Sequence, residues 1–335
     1  MNPKAANFLD DPHKMDAAHE VIDAHNVDAA HKAAEWVRHR ERGSLWLLRI
    51  MAFLSLRCGR RASRIILYGI AIYFFLFGPS ARRHSLRYLR LALGREPTAR
   101  DRFLQILSFA TTIHDRVYLI NAQFEKFNIS IEGEEMVLAH APAGRGALLL
   151  GAHMGSFEVM HSLSRRRNGL RVAMAMYEEN ARKIGGILAA INPNWVADII
   201  PLGQIDAMLN IAERVGLGAY VGVLADRTLG EEPAQAVTFL GQDAHVPTGP
   251  MRAAAILRCP VFFMAGLYRG KNNYHVVFER VADFSATSVG SRDLAVRAAI
   301  ERYVAVLERY CRSDPYNWFN FFDFWRRPAA AGRER

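Results

Sequence analysis

The sequence predicts an α/β fold, a mostly parallel sheet flanked by helices on both faces and preceded by a basic, membrane-associating helical segment. Three observations carry this expectation. From residue 98 onward, short apolar runs of strand length alternate with stretches of helical periodicity, a pattern that builds parallel sheets. One such run, Ala147 to Leu150, stops at Gly151-Ala-His-Met-Gly-Ser-Phe-Glu158, a strand-to-helix junction of the kind at which open sheets build sites. Before residue 98, the positive charge is concentrated around two apolar runs.

Residues 1–34 are rich in Ala, Asp and His, and His13-Lys-Met-Asp-Ala-Ala-His19 recurs as His25-Asn-Val-Asp-Ala-Ala-His31. Spacings of six and twelve do not stack on one helix face as metal ligands at i, i+4 would, so a mobile, duplicated tail is expected. Met1 to Lys14 has no cationic stretch followed by an apolar one, and no secretory signal is read there.

Residues 35–97 form the basic segment. Between Trp36 and Arg102 lie fifteen Arg and no Lys against Glu41, Glu96 and Asp101, a balance of +12 where the whole chain carries +10. The apolar runs Leu45 to Leu56 and Ile65 to Phe77 sit among these Arg. Thirteen residues span about 20 Å as a helix, short of the ~30 Å hydrocarbon core. An interfacial or shallowly inserted hairpin on an anionic membrane surface is expected. Nucleic acid is disfavoured, because the aromatics Trp46, Phe53, Tyr73, Phe74, Phe75 and Phe77 lie within aliphatic runs and make no polar stacking platform.

The region 98–328 is read as the catalytic domain, with 329–335 as a tail. Thr98 caps a helix whose apolar positions are Phe103, Ile106, Leu107, Ala110, Ile113, Val117 and Ile120. Strands are expected at 127–131, 147–150, 170–177, 196–201, 220–225, 260–268 and 274–281. Helices are expected at 157–167, 180–191, 205–215, 250–257 and 292–310. Thr248-Gly-Pro250 reads as a cap and first-turn Pro. With 51% hydrophobic content over 335 residues, the chain can bury a large core. Cys58, Cys259 and Cys311 are scattered and suit a reducing compartment rather than a disulfide framework or zinc site.

The chemistry centres on His153. It precedes the first turn of the following helix, so Glu158 can reach back to it. A carboxylate on one imidazole nitrogen fixes the tautomer and leaves the other nitrogen as a general base. Gly155 opens the backbone to a substrate, Ser156 lies beside it, and helix-start amides favour negative charge. The competing reading is a core His beside an unrelated Glu on a solvated face.

The pattern His-x-x-x-x-Glu after Leu-Leu-Leu-Gly-Ala resembles the hallmark of the lysophospholipid acyltransferase superfamily, in particular its lipid A biosynthesis (lauroyl/myristoyl) branch. Ala225-Asp-Arg227, Val237-Thr-Phe-Leu-Gly241, Pro247-Thr-Gly-Pro250 and Asp314-Pro-Tyr-Asn-Trp318 resemble further blocks of that branch, in order, over residues 40 to 327. The stretch Glu35 to Ser44 is similar to acyltransferases found with aryl-polyene pigment pathways. The resemblance implies a catalytic His153 and Glu158, and an Arg that holds an oxyanion or phosphate, for which Arg182 is the nearest match. Arg182 also fits a solvated first-turn residue. Asp226 and Arg227, ending another strand, fit either an internal ion pair or a contact with an anionic headgroup; for Asp226 the structural role is favoured.

Other chemistries fit less well. Ser156 lacks the Gly-x-Ser-x-Gly of a nucleophile elbow, and no dinucleotide, P-loop or His-Glu-x-x-His motif occurs. His114, His140, His161, His245 and His275 have no motif context and are read as structural. The expectation is therefore acyl transfer from an acyl thioester, carried by acyl carrier protein or coenzyme A, to a hydroxyl or amine of a membrane lipid. No further cofactor and no metal are expected, and the place is the cytoplasmic face of a bacterial inner membrane. A noncatalytic membrane or acyl-carrier binding protein and a lipid or thioester hydrolase remain the alternatives.

Overall fold

The computed structural model describes residues 49–77, 79–139, 144–159, 171–194, 198–203, 206–228 and 232–325. From Ala52 onward these belong to one compact unit. The N-terminal His repeat, His140, His161 and most of the helix expected at 157–167 lie outside the described residues.

The first helix, α1 (Arg49–Phe77), is not straight. The Tyr118 hydroxyl lies 3.0 Å from both the Ser55 carbonyl and Ser63 Oγ, which a straight helix would separate by about 12 Å along its axis. The chain bends at Gly59, whose φ of 80° is open to a residue without Cβ. The described part of the first apolar run and the whole of the second fall on opposite sides of this bend. On the second arm Ser63, Leu67 and Ala71 form a buried stripe, while Ile65, Ile66, Tyr68, Ile72, Tyr73, Phe74, Leu76 and Phe77 face outward. Among the described residues no single helix is long and apolar enough to cross a membrane. The chain continues into α2 (Pro79–Leu93).

Helix α3 (Ala99–Ile120) opens with the predicted cap. The Thr98 hydroxyl accepts from the Asp101 amide, and the Asp101 carboxylate accepts from the Thr98 amide. Its buried face is polar along the middle turns and apolar in the last: Gln105, Ser108, Thr111, Thr112, His114 and Asp115 are buried, as are Ile106, Val117, Tyr118, Leu119 and Ile120, whereas Phe103, Leu107, Ala110 and Ile113 are only half-buried. The polar face binds α1, with Arg60 donating twice to Asp115 at 2.6 and 2.7 Å and Ser55 lying 3.2 Å from His114 Nε2.

The remaining elements are β1 (Asn128–Glu132), α4 (Glu134–Leu138), β2 (Leu148–Gly151), β3 (Val172–Tyr177), α5 (Glu178–Ile191), β4 (Ile199–Leu202), α6 (Ala207–Gly216) and β5 (Tyr220–Leu224). They are followed by β6 (Ala234–Phe239), β7 (Gln242–Pro247), α7 (Gly249–Leu257), β8 (Pro260–Tyr268), β9 (Asn273–Asp283) and α8 (Arg292–Ser313). Seven strands form one sheet in the order β1-β9-β8-β2-β5-β3-β4. β8, β2, β5, β3 and β4 run parallel, while β9 is antiparallel to β8 and β1 follows β9. The mixed α/β fold with a mostly parallel sheet is thus the one expected.

Both sheet faces are covered, which explains runs without alternation. Leu148, Leu150, Val261, Phe263 and Ala265 pack into one core with Ile300 and Leu307 of α8. Their neighbours Leu149, Phe262 and Met264 pack into another with Tyr118 and Leu119 of α3. The β6–β7 hairpin was not anticipated as strands. Its residues, Ala-Gln-Ala-Val-Thr-Phe and Gln-Asp-Ala-His-Val-Pro, carry little apolar signal, and its turn is made by Leu240 and Gly241, both with positive φ.

Candidate active site

Because β2, β5, β3 and β8 are parallel, their C-terminal ends share one edge, and the chain leaves that edge four times near one spot. After β2, Met154 N donates to Ala152 O at 2.6 Å, a tight turn that swings His153 out of the sheet. Gly155 follows with φ 67°, a left-handed conformation. A Cβ on it would lie 2.0 Å from Gly266 O, and a Cβ on Gly266 would lie 2.3 Å from Ser156 O. Only two glycines permit this approach of backbones, which is closed by Ser156 N donating to Gly266 O at 2.7 Å. On the other side the loop pairs with the segment after α8: Gly155 N donates to Asn317 O at 2.9 Å and Phe319 N to His153 O at 2.7 Å. The motif is thereby a short strand held between β8 and the chain's last described residues.

His153 is oriented by Asp226, at the end of the neighbouring strand β5. Its Nδ1 lies 2.9 Å from Asp226 Oδ1 and its backbone amide donates to Oδ2 at 3.0 Å. The same Oδ2 accepts from the indole Nε1 of Trp318 at 3.0 Å. The Asp226 side chain is 1% exposed and that of His153 34%. Burial pushes the Asp226 carboxyl up, but the charge and hydrogen bonds of His153, together with Arg227, outweigh it and hold the group down at about 2. A carboxylate acceptor assigns the Nδ1 proton, so the Nε2 lone pair, which has no hydrogen-bond partner among the described residues, is the atom open to a substrate.

This corrects the pairing expected for Glu158. Its carboxylate lies 2.6 Å from Arg116 Nε of α3 and accepts from Ser156 Oγ at 3.1 Å, and it is nearly buried. The physical reason is the loop's pairing with β8 and Asn317, which starts the next helix facing α3 rather than the imidazole. Asp226, for which an internal structural role was favoured over a headgroup contact, is the partner of His153. The amides of Gly155 and Ser156, just before the helix that begins at Phe157, are spent on Asn317 O and Gly266 O.

Arg227 serves the same frame. It donates to Phe319 O at 3.2 Å and stacks over the Phe322 ring, 4.2 Å from its centroid. Arg182 lies in the second turn of α5, after β3 and two strands from β2 on the same edge, and is exposed. Of the other histidines, His114 is buried beside Ser55 and Asp115, and His275 bridges Ser130 and Glu132.

The functional residue that sequence reasoning placed differently, Asp226, is 73 positions from His153. The available signal was that both close apolar runs, and neighbouring parallel strands bring such ends together. Trp318 carried no such signal beyond its block of aromatic residues.

A search of curated proteins finds no match to the chain. The family model described as bacterial lipid A biosynthesis acyltransferase matches residues 30–327, nearly the whole described fold and every residue of the site above. The family indicates an acyltransferase acting on lipid-related substrates, so the chain, with its His-x-x-x-x-Glu loop at the sheet edge, belongs to the bacterial lipid A biosynthesis acyltransferase family.

Proposed function

We propose that the protein moves a fatty or polyene acyl chain from a thioester, on acyl carrier protein or coenzyme A, to a hydroxyl or amine of a membrane lipid. The observation that carries this reading is the Nδ1 contact of His153 with the anionic Asp226 at 2.9 Å, which leaves Nε2 as a base at a partly open edge. Nε2 takes the proton from the acceptor, the acceptor oxygen or nitrogen attacks the thioester carbonyl, and the thiolate leaves as the tetrahedral oxyanion collapses. The His153 proton then returns to the departing sulfur. Helix-start amides and the exposed Arg182 are assigned to the oxyanion, Arg182 alternatively to a phosphate of the substrate. Glu158 holds Arg116 and Ser156 and keeps the loop in register.

The outward face of α1 supports a membrane acceptor. Ile65 is 76% exposed and Phe77 69%, with Tyr73, Phe74 and Leu76 between them, more apolar side chain than a water-facing helix carries. The Arg-rich flanks suit anionic headgroups and an acidic carrier protein. The reading places the enzyme at the cytoplasmic face of a bacterial inner membrane, without a bound cofactor.

The test is transfer of a radiolabelled acyl chain from acyl carrier protein and from coenzyme A into a bacterial membrane lipid extract. Label in one lipid species, reduced about 10²- to 10⁴-fold by His153→Ala at unchanged circular dichroism, is the expected result. Release of label only as free acid would replace transfer by hydrolysis, and no turnover with either donor would replace catalysis by binding.

A further inference from the structure

We infer that Trp318 is a positioning residue of the catalytic dyad, acting through Asp226 rather than only filling the core. The inference rests on the proposed acyl transfer for its kinetic arm and on geometry for the rest. Asp226 Oδ2 accepts two hydrogen bonds, from the His153 backbone amide and from Trp318 Nε1, each 3.0 Å long, while Oδ1 faces His153 Nδ1. The backbone donor comes from the same residue whose ring Oδ1 must orient. The indole is the independent anchor, donated from another part of the chain.

That anchor is itself immobilised. Trp318 is fully buried, and its ring meets Tyr88, Phe239, Phe324 and Trp325 edge-on at centroid distances of 4.8 to 6.3 Å. Its carbonyl accepts from Gln105 Nε2 at 2.8 Å, and its backbone bridges Met154. A ring so enclosed presents its N–H in one direction. A carboxylate with a fixed second acceptor atom cannot rotate about its Cβ–Cγ bond to release the imidazole, and the charge left on Oδ1 is smaller than on an unbound carboxylate.

The titratable and charged groups facing this carboxylate from its neighbours are His153, Arg227, Tyr303 and Cys311. Burial holds the Tyr303 hydroxyl and the Cys311 thiol well above their ordinary ranges, so both stay neutral across pH 5 to 9. A shift in the titration of His153 on altering Trp318 therefore reports on the Trp318 to Asp226 bond.

The experiment compares wild type with Trp318→Phe and with 3-benzothienylalanine at position 318. The latter keeps the bicyclic ring and places sulfur where the N–H was, so that packing survives if the Phe variant fails to fold. The readouts are the His153 titration by NMR and the pH profile of acyl transfer. Loss of the donor leaves a more basic carboxylate, so the His153 midpoint and the acid limb of the rate profile move up by about half a unit or more, with the rate down about tenfold. In an Asp226→Asn background the same change at 318 is expected to cost less than threefold. An unshifted midpoint in a folded variant, or an equal loss in both backgrounds, overturns the inference. A shifted midpoint in a protein that transfers no acyl group would overturn the proposed function and leave the positioning role standing.

Discussion

Asp226 must be an anion for His153 to keep its proton on Nδ1. Replacing it with Asn exchanges a fixed acceptor for a group that can donate, and the rate is expected to fall about 10²- to 10⁴-fold. The same carboxyl titrates near 2 in the folded protein, below its ordinary value of about 4. Its ionisation therefore stabilises the fold fully above about pH 4 and ceases to do so as pH falls through about 2. In Asp226→Asn the melting temperature should accordingly vary less between pH 4 and pH 2, as followed by circular dichroism. Glu158→Gln should behave differently, lowering stability at neutral pH by leaving the half-buried Arg116 without its anion. At this scale His153, Gly155 and their loop were legible because they are contiguous. The true partner was not, since choosing between Glu158 and Asp226 requires knowing that β5 lies beside β2, and periodicity gives strands without giving their order.

The elements were more legible than their faces. Each of the seven sheet strands follows from an apolar or alternating run, and the Thr98 cap of α3 is present in full. Of the apolar positions read on α3, Ile106, Val117 and Ile120 are buried, while Phe103, Leu107, Ala110 and Ile113 only border a buried polar stripe, part of which binds α1 and which periodicity did not announce. Asp115 in that stripe has its side chain fully buried, held by Arg60 and by the Tyr274 hydroxyl at 2.9 Å. Burial pushes its carboxyl up, yet Arg60, His114 and Tyr274 together bring it below the ordinary range. Removing Arg60 strands that charge, and Arg60→Ala should destabilise the protein by about 3–5 kcal/mol in urea titration. Arg116, the next residue, reaches Glu158, so one turn of α3 ties the apolar-faced α1 to the motif loop. The β6–β7 hairpin was illegible for another reason: half of its apolar positions are small Ala, and β6 makes neither a continuous apolar run nor a strict alternation.

For the molecule as a whole, the outward apolar face of α1, held from behind by buried polar groups of α3, departs from the usual arrangement of a water-soluble protein. Ile65→Asp and Phe77→Asp touch only exposed side chains, so the melting temperature should change little. Cosedimentation with anionic phospholipid vesicles should drop severalfold, and an unchanged bound fraction for the double variant would dissociate this face from the membrane. The described chain from Ala52 onward is one unit, and its site is assembled from four separate stretches, after β2, after β5, at Gly266 in β8 and after α8. A ribosome delivers these in order. When α8 has been made, the sheet, His153 and Asp226 all exist, but Asn317, Trp318 and Phe319, which hold the loop and the carboxylate, do not. The geometry around His153 is therefore the last part of the described fold to be completed, and a chain halted before Asn317 would carry every strand of the sheet and the whole of α1 yet leave His153 and Asp226 without the backbone and indole that hold them.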